Sequence, residues 1–386
     1  MDQLDKREKK TEEEKACLHW LIQAAGAGNR SFLRALFGLG TAREIFALAL
    51  SGRLADRLAQ RYRKRAARLT ESSKACDPEQ EYGRMRERGI GLVAQGEAAF
   101  PKRLSKIPDS PLALYYAGRL PSDQKRAVAL IGARDCTEYG RYMAARFGAA
   151  LAGAGVEVVS GMARGIDGIG QESALREGGY SMAVLGCGVD VCYPKENGSL
   201  YETLLAKGGV CSEYPPGTEP RALQFPPRNR IISGLSDAVL VIEARVKSGT
   251  LITVDMALEQ GREVYALPGR ATDPLSSGCN RLIRQGAGLV NGPEELLEEL
   301  LGTKGRGRTE GREEQTRLVF LDGVLGEVLG ALDFQPLAAE EIRHRFEVKY
   351  GKTIEFPVLL KTLLELCADG HAGQIGGGYY MRILKP

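Results

Sequence analysis

The chain has 386 residues, of which 43% are hydrophobic and 26% are charged, and its formal net charge at pH 7 is +4. This composition is typical of a soluble globular protein, and the length favours two or three domains. No apolar run approaches the roughly 18 residues of a membrane-spanning helix, and the N-terminal segment is charged where a signal peptide would be apolar. We therefore expect a cytoplasmic protein without a membrane partner.

Residues 1–85 are predicted to form a small helical module. Apolar residues recur three and four positions apart from Leu18 to Leu50, with breaks at Gly26, Gly28 and Gly40, and an arginine-rich segment follows. Short helices joined by glycine turns are typical of helix-hairpin-helix modules, whose backbone amides can hold phosphate. A packing module with a solvated basic face explains the same pattern, and both interpretations stay open.

A proline-rich lead-in opens the next region, residues 86–301, where strands and helices then alternate. The predicted strands lie in the apolar runs AVALIGA, VEVVSG, SMAVLGCG, GVCSEY, DAVLVIEA and REVYALPG. Continuous rather than alternating apolarity indicates strands that are covered on both faces. This pattern predicts a doubly wound parallel sheet in an α/β domain.

The last part of the chain divides into a linker and a second small domain. Residues 302–316 are glycine-rich and charged, which is typical of a flexible linker. Residues 317–386 contain three segments with helical spacing and then a glycine-centred hairpin, which predicts a winged helix. This domain is slightly acidic, so we expect it to contact protein rather than duplex DNA.

Positive charge recurs where five of the predicted strands end. Ligands of open parallel sheets bind beyond the carboxyl ends of the strands, and the segments there combine cations with glycines and small hydroxyl residues that let backbone amides approach an anion. We therefore predict a nucleic-acid-binding edge. Its predicted residues are Arg134, Ser160, Gly161, Arg164, Lys195, Arg228, Asn229, Arg230, Lys247, Ser248, Gly249 and Thr250.

A polynucleotide strand explains these cations better than a small phosphate ligand. The dinucleotide fingerprint GxGxxG and the P-loop motif are both missing from the sequence. Five cationic loops span more than one or two phosphates require, whereas single-stranded nucleic acid would use their whole length. Tyr139, Tyr193 and Phe225 lie beside these loops and serve either as packing aromatics or as stacking platforms for bases.

Catalytic and metal-binding constellations do not stand out. The predicted sheet region contains no histidine, which excludes a Ser-His nucleophile there. We expect Asp167 and Asp190 to hold arginines or to cap helices. The eight cysteines form no CxxC pair and the three histidines are scattered, so we expect reduced thiols, no metal and no cofactor in a non-enzymatic protein.

The sequence resembles the DNA-processing protein A family, DprA or Smf, over nearly its whole length. The motifs SGMARGID, GCGVDVCYP, SEYPPGT, FPPRNRIISGLSDAVLVIEA, SGTLIT, ALEQGREVYALPG and GCNRLIRQGA stand in the family's order and spacing. Several long motifs in order are more specific than any one of them. Two positions depart from the family pattern, because Ala133 and Gln171 stand where the family usually has Ser and His.

The resemblance implies a three-part architecture with an N-terminal helical SAM-like module, an extended Rossmann-like domain and a C-terminal winged helix. It implies sequence-independent binding of single-stranded DNA in natural transformation and recombination, protection of the incoming strand, and loading of RecA recombinase onto it. It also implies a homodimer formed through the Rossmann-like domain. By matching motif, Arg134 and Lys195 correspond to DNA contacts of the family.

Two other functions are weighed against this interpretation. The sheet region also resembles nucleotide-processing enzymes of the phosphoribohydrolase type, but the segment ARVKSGTLITVD lacks the leading glycines and the glutamate of their PGGxGTxxE motif. A transcription regulator that acts through the winged helix is the second alternative. The weak charge of that domain argues against it.

Overall fold

The computed structural model describes residues 2–302, 323–375 and 378–383, with side chains described from Thr11 onward. The predicted linker, residues 302–316, lies outside this part of the chain apart from Gly302. Among the described residues, no helix combines the length and apolarity needed to cross a membrane.

The N-terminal part is helical, as predicted. Helix α1 ends at the residue before Gly26, whose φ of 80° favours glycine. Thr41 begins α3 with a capping box in which its side chain accepts from the Glu44 amide. The helices are α1 (Asp2–Ala25), α2 (Arg30–Phe37), α3 (Ala42–Leu50), α4 (Arg63–Ala75) and α5 (Pro78–Glu87). The last of them crosses the predicted domain boundary at residue 85.

A nine-stranded sheet forms the centre of the molecule, in the order β1-β2-β6-β5-β4-β3-β7-β8-β9. Its strands are β1 (Gly91–Ala94), β2 (Ala113–Gly118), β3 (Ala127–Ile131), β4 (Glu157–Ser160), β5 (Ser181–Val184), β6 (Gly209–Ser212), β7 (Ala238–Val241), β8 (Glu263–Ala266) and β9 (Gly288–Leu289). The strands from β6 to β9 in this order are parallel, which confirms the predicted parallel sheet. Two antiparallel strands, β1 and β2, extend one edge and were not predicted.

Helices cover both faces of the sheet. They are α6 (Lys102–Ser105), α7 (Glu138–Gly153), α8 (Ile166–Arg176), α9 (Gly198–Lys207), α10 (Phe225–Gly234), α11 (Gly249–Glu259), α12 (Ser277–Arg284) and α13 (Pro293–Leu301). Side chains of α7, α8 and α13 pack on one face, and those of α10, α11 and α12 pack on the other. Because both faces are covered, strands β3 to β7 are buried along their whole length.

The C-terminal part has a small core of its own. It consists of α14 (Val324–Ala331), β10 (Leu337–Ala338), α15 (Ala339–Tyr350), α16 (Phe356–Ala368), β11 (Ala372–Ile375) and β12 (Tyr379–Arg382). Strands β11 and β12 pair antiparallel, so the predicted hairpin is present, and β10 joins them in a three-stranded sheet.

The N-terminal helices are attached to the antiparallel edge of the large sheet. The Nδ1 atom of His19 on α1 lies 2.9 Å from the hydroxyl of Tyr115 on β2, and both side chains are buried. One apolar cluster contains side chains of α1 to α5, of β2 and of α9. The N-terminal part therefore packs directly on the sheet domain through an apolar contact.

Helices α7 and α8 approach closely where Gly148 faces Gly170. A Cβ atom on Gly148 would lie 3.1 Å from the Cα of Gly170 and nearer still to its carbonyl oxygen. We expect Gly148→Ala to force the helices apart and to lower the free energy of unfolding by about 1–3 kcal/mol, measured by urea denaturation.

The matched control is Gly153→Ala, at the end of the same helix, where an added Cβ would meet nothing within 4 Å. This control should be neutral or stabilising by up to about 1 kcal/mol, because alanine loses less backbone entropy on folding than glycine. Equal losses in the two variants would contradict a close contact between α7 and α8.

Candidate functional site

A cavity of about 660 Å³ opens at the carboxyl ends of the parallel strands. Strands β3 and β7 are neighbours, and the chain continues from β3 towards one edge of the sheet and from β7 towards the other. Such a reversal of strand order is where ligands of open α/β sheets bind. The cavity is lined by the loops that follow β3 and β7 and by one side of α10.

The structure brings half of the twelve predicted site residues to this cavity. Those that line it are Arg134, Arg228, Asn229, Ser248, Gly249 and Thr250. Three further cations, Arg164, Lys195 and Lys247, are exposed on the segments that follow β4, β5 and β7. The remaining residues, Ser160, Gly161 and Arg230, are buried and do not line it.

The loop after β3 displays Arg134 and is fixed at its far end by Glu243. Thr137 caps α7, since its Oγ1 accepts from the Gly140 amide at 3.0 Å. The buried Glu243 carboxylate, just beyond β7, accepts from the Thr137 amide at 2.9 Å and from the Thr137 hydroxyl. Burial raises the pKa of Glu243, and the two hydrogen bonds from Thr137 act in the opposite direction.

The loop after β7 leads into α11, whose N-terminus borders the cavity. The Oγ of Ser248 accepts from the Thr250 amide at 3.1 Å, and the Thr250 hydroxyl donates to the Gly132 carbonyl at 3.1 Å. The second bond joins this loop to the loop after β3. Free amides at a helix N-terminus attract anions, so this wall of the cavity suits a phosphate.

Arg245 also lines the cavity, and the sequence interpretation missed it. It lies in the same strand-end segment as Lys247, and both side chains are exposed. The signal in the sequence is the presence of two cations in one strand-end segment, which points to Arg245 as well as to Lys247. Among the described residues, neither has a carboxylate within ion-pair distance.

Arg228 lies beneath the cavity and acts as a structural cation. Its side chain is on α10 and only 6% of the residue is exposed. Its Nη1 donates to the Gly161 carbonyl at 3.1 Å and to the Val184 carbonyl, which lie at the carboxyl ends of β4 and β5. The guanidinium is therefore engaged by protein atoms, and the expectation of an exposed cation at this position is wrong.

Asp167, at the start of α8, is a buried carboxylate near Arg228. Its Oδ2 accepts from the Gly161 amide at 3.1 Å, and burial raises its pKa while the positive charge of Arg228 lowers it. The charge of Arg228 thus acts on Asp167, but the two side chains do not lie within ion-pair distance, so the role of Asp167 as an arginine partner stays a prediction. For Asp190 this role is confirmed, because it pairs with Arg88 and accepts from the Gly217 amide at 2.7 Å.

Arg230 points away from the cavity, and its predicted place at the exposed edge is wrong. Its Nη2 lies 2.8 Å from both carboxylate oxygens of Glu213, and its Nε donates to Asp109 at 3.1 Å. Only 4% of the residue is exposed. The reason is the helical period: residues two apart, such as Arg228 and Arg230, project to nearly opposite sides of α10.

The loop after β4 is held from below by Gln171 on α8. The Oε1 of Gln171 accepts from the Met162 amide at 2.9 Å, and its Nε2 donates to the Met182 carbonyl on β5 at 3.0 Å. Ser160 donates its hydroxyl to the Leu130 carbonyl at 2.6 Å and is fully buried. These residues support the segment that carries Arg164, and they do not face the cavity.

Two aromatic side chains form one wall of the cavity. The rings of Tyr193 and Phe225 stack with centroids 5.4 Å apart and planes inclined by 29°. Tyr193 is partly exposed, and the nearby Leu223 is 88% exposed. Tyr139, the third predicted aromatic, instead packs half-buried against the core beneath α7.

The described residues contain no group of three or more histidine, cysteine or acidic side chains placed to hold a metal ion. Cys187, Cys192 and Cys211 are free thiols. Burial raises the pKa of both Cys187 and Cys211 to about 12, so these two thiols stay protonated near neutral pH.

The different roles of Arg228 and Arg134 can be separated by their effects on stability. We expect Arg228→Met to lower the free energy of unfolding by about 3–5 kcal/mol, because the carbonyls of Gly161 and Val184 lose a buried donor and the buried Asp167 loses a nearby positive charge. Arg134→Gln, at the exposed neighbour, should change it by less than about 0.5 kcal/mol. Urea denaturation measures both.

The double variant Arg228→Met/Asp167→Asn tests whether the remaining charge of Asp167 contributes to the loss of stability. Because it removes both charges, it should be more stable than Arg228→Met alone. If the single variants at Arg228 and Arg134 unfold at the same urea concentration, the buried Arg228 does not hold the strand ends.

Comparisons with known proteins agree with one another. The family model described as DNA recombination-mediator protein A matches residues 91–301. The chain is 45% identical over 210 residues to Protein Smf of Escherichia coli, covering 54% of this chain and 56% of that protein. It is 43% identical over 200 residues to DNA processing protein DprA of Streptococcus pneumoniae, covering 52% of this chain and 71% of that protein.

The fold agrees with these sequence matches. The X-ray structure of DNA processing protein A from Streptococcus pneumoniae is similar with a TM-score of 0.63 and 33% identity, over 73% of this chain and 98% of that chain. The chain spans little more than half the length of the Escherichia coli relative. Because the family model matches 211 of the 386 residues (91 to 301), the chain belongs to the DNA recombination-mediator protein A family.

Proposed function

We propose that the protein binds single-stranded DNA along the carboxyl-end edge of its sheet, without sequence preference. The observation that carries this proposal is the set of exposed cations on four separate strand-end segments. These cations are Arg134, Arg164, Lys195, Arg245 and Lys247. Among the described residues, only Arg164 has a carboxylate within ion-pair distance, since it lies 3.9 Å from Asp135.

The length of this edge favours a polynucleotide over a small phosphate ligand. The cations follow β5, β4, β3 and β7, which are consecutive in the sheet. Neighbouring strands lie about 4.8 Å apart, so three steps separate the outer strands of this set, β5 and β7, by roughly 14 Å. One phosphate cannot meet charges so far apart, whereas the backbone of a nucleic-acid strand presents a phosphate at each nucleotide.

The cavity adds two features that suit an unpaired strand. The N-terminus of α11, together with Arg134 and Arg245, provides donors for one phosphate. The stacked pair of Tyr193 and Phe225 offers an aromatic surface to a base, and unpaired bases can stack on such a surface whatever their identity. In a duplex the base faces are covered by neighbouring pairs, so the proposal specifies single-stranded DNA.

The family supports a biological role for the proposed binding. Its description names a mediator of DNA recombination, and the relatives from Escherichia coli and Streptococcus pneumoniae are named Smf and DNA processing protein DprA. We infer that the protein acts in the cytoplasm as a homodimer, protects incoming strands in natural transformation, and loads RecA recombinase onto them. We assign the N-terminal part as a SAM-like module and the C-terminal part as a winged helix.

The enzymatic alternative has no geometric support. The carboxylates that line the cavity, among the described residues, are Asp135 and Asp167. Asp135 is exposed beside Arg164, and Asp167 is buried and accepts from the Gly161 amide. Neither carboxylate is placed as a free general base over the cavity.

The binding proposal is tested by removing two cations from neighbouring loops. We expect Arg134→Gln/Lys195→Gln to weaken binding of an oligothymidylate at least about tenfold, because two charge-assisted contacts are lost. The slope of log affinity against log salt should also become shallower by about 1.4, which is about 0.7 for each phosphate released. Fluorescence anisotropy at several salt concentrations measures both quantities.

The matched control is Arg84→Gln/Arg86→Gln, which removes the same charge from side chains that pair with Glu81 and Glu12. It should leave the affinity and the salt slope unchanged. An unaltered affinity of the Arg134 and Lys195 variant, with native circular dichroism, would rule out this edge as the binding site.

A further inference from the structure

The N-terminal module carries a second concentration of positive charge, which we call the α4 basic face. It consists of Arg57, Arg61, Arg63, Lys64, Arg65 and Arg68, all of which are exposed. It wraps around the outer side of α4, because Arg63 and Arg65 project to opposite flanks of the helix. The acidic residues between positions 53 and 75 are Asp56 and Glu71 alone. In the part of the chain whose side chains are described, no carboxylate lies within ion-pair distance of the α4 basic face.

Other arginines of the same module do have carboxylate partners. Arg43 pairs with Glu13, and the remaining pairs are Arg84 with Glu81, Arg86 with Glu12, and Arg88 with Asp190. The α4 basic face therefore differs from its surroundings. Lys64 and Arg68 are four residues apart on one helix, and like charges at this spacing destabilise it, so packing of the module does not account for them.

Aromatic rings support two of these cations from below. The Arg61 guanidinium lies 4.7 Å from the centre of the Tyr62 ring, and that of Arg65 lies 5.8 Å from the centre of the Phe32 ring. Such contacts orient a guanidinium without neutralising its charge. The charge of the face thus remains available to an anionic partner.

Contacts within the module link the face to the edge of the large sheet. Tyr62, the residue before α4, joins this helix to α2. Its hydroxyl donates to the Ser31 carbonyl at 3.3 Å, and its ring lies 5.3 Å from that of Phe32. The first residue of α2, Arg30, lies 3.5 Å from Glu213, which directly follows β6. The module therefore borders the carboxyl-end edge on the side of β6.

A second contact places the module beside the loop that carries Lys195. Arg88, just beyond α5, pairs with Asp190, which lies in the loop after β5. Lys195 is the outermost exposed cation of the binding edge on this side, since β5 is next to β6 in the sheet. The N-terminal module, which carries the α4 basic face, is the next part of the molecule beyond Lys195.

We propose that the α4 basic face continues the DNA track, so that a single strand passing Lys195 crosses onto the N-terminal module. This inference rests on the proposed function of the sheet edge and extends it. The ligand is the phosphate backbone of the same strand, and the contact is electrostatic and without base recognition. A strand that reaches only the sheet edge does not use it.

The test compares a short and a long oligothymidylate, of about 6 and about 30 nucleotides. Arg63→Gln/Lys64→Gln/Arg68→Gln removes three exposed cations while keeping good helix-forming residues. We expect weaker binding of the 30-mer by at least about tenfold and a salt slope shallower by up to about 2, from three phosphates at about 0.7 each. Binding of the 6-mer should stay unchanged, because the cavity and the edge are intact.

The control Arg84→Gln/Arg86→Gln/Arg176→Gln removes the same net charge from residues paired with Glu81, Glu12 and Glu172. Both triple variants are checked by circular dichroism and thermal unfolding. An equal loss of 30-mer binding in the control would reduce the effect to net charge and overturn the inference. The same holds if the triple variant on α4 weakens the 6-mer as much as the 30-mer.

Two further outcomes separate this inference from the function on which it rests. If Arg134→Gln/Lys195→Gln weakens both oligonucleotides and the α4 variant weakens neither, the sheet edge binds DNA and the inference is wrong. If the α4 variant weakens only a 30-base-pair duplex, the face binds duplex DNA, which also overturns it. If the variant at Arg134 and Lys195 affects no oligonucleotide, the proposed function itself fails.

Discussion

The Arg228 guanidinium lies between two strand ends and donates hydrogen bonds to the carbonyls of Gly161 and Val184. Beside it, the Asp167 carboxylate supplies the opposite charge and accepts from the Gly161 amide. In a buried setting, each of these groups would be costly without the other. The segments that carry Arg164 and Lys195 begin just beyond these strand ends, so their starting points are set by a pair that itself stays out of solvent.

The same separation between engaged and available cations holds across the site. Arg230 is buried and bound by two carboxylates, while Arg134 and Lys247 are exposed and have no carboxylate partner among the described residues. A guanidinium surrounded by protein acceptors has few free N–H donors for a phosphate. An exposed guanidinium binds a phosphate by releasing water and counterions. The net charge of +4 conceals this difference, because it counts both kinds of cation equally.

The parallel strands could be predicted from sequence because burial on both faces produces continuous apolar runs, such as that from Ala127 to Ile131. Strand β2 escaped prediction because prolines flank it at positions 101, 108, 111 and 121, and it is recognisable only through its pairing with β6. The error at Arg230 has another origin. Its position after a strand in the sequence predicts a place at the strand end, whereas two prolines near the start of the segment open a helix that turns Arg230 away from Arg228.

Glu213 connects the sheet edge to the N-terminal module. Its carboxylate accepts from Arg230 on α10 and lies 3.5 Å from Arg30 on α2, so one acidic group holds an arginine of each part. Asp109 also pairs with both arginines. Pairs that are partly buried and share acceptors resist separation more than isolated surface pairs do. The N-terminal module is thus held against the end of the sheet where the exposed cations lie, which sets the position of any surface on that module relative to a strand bound at the edge.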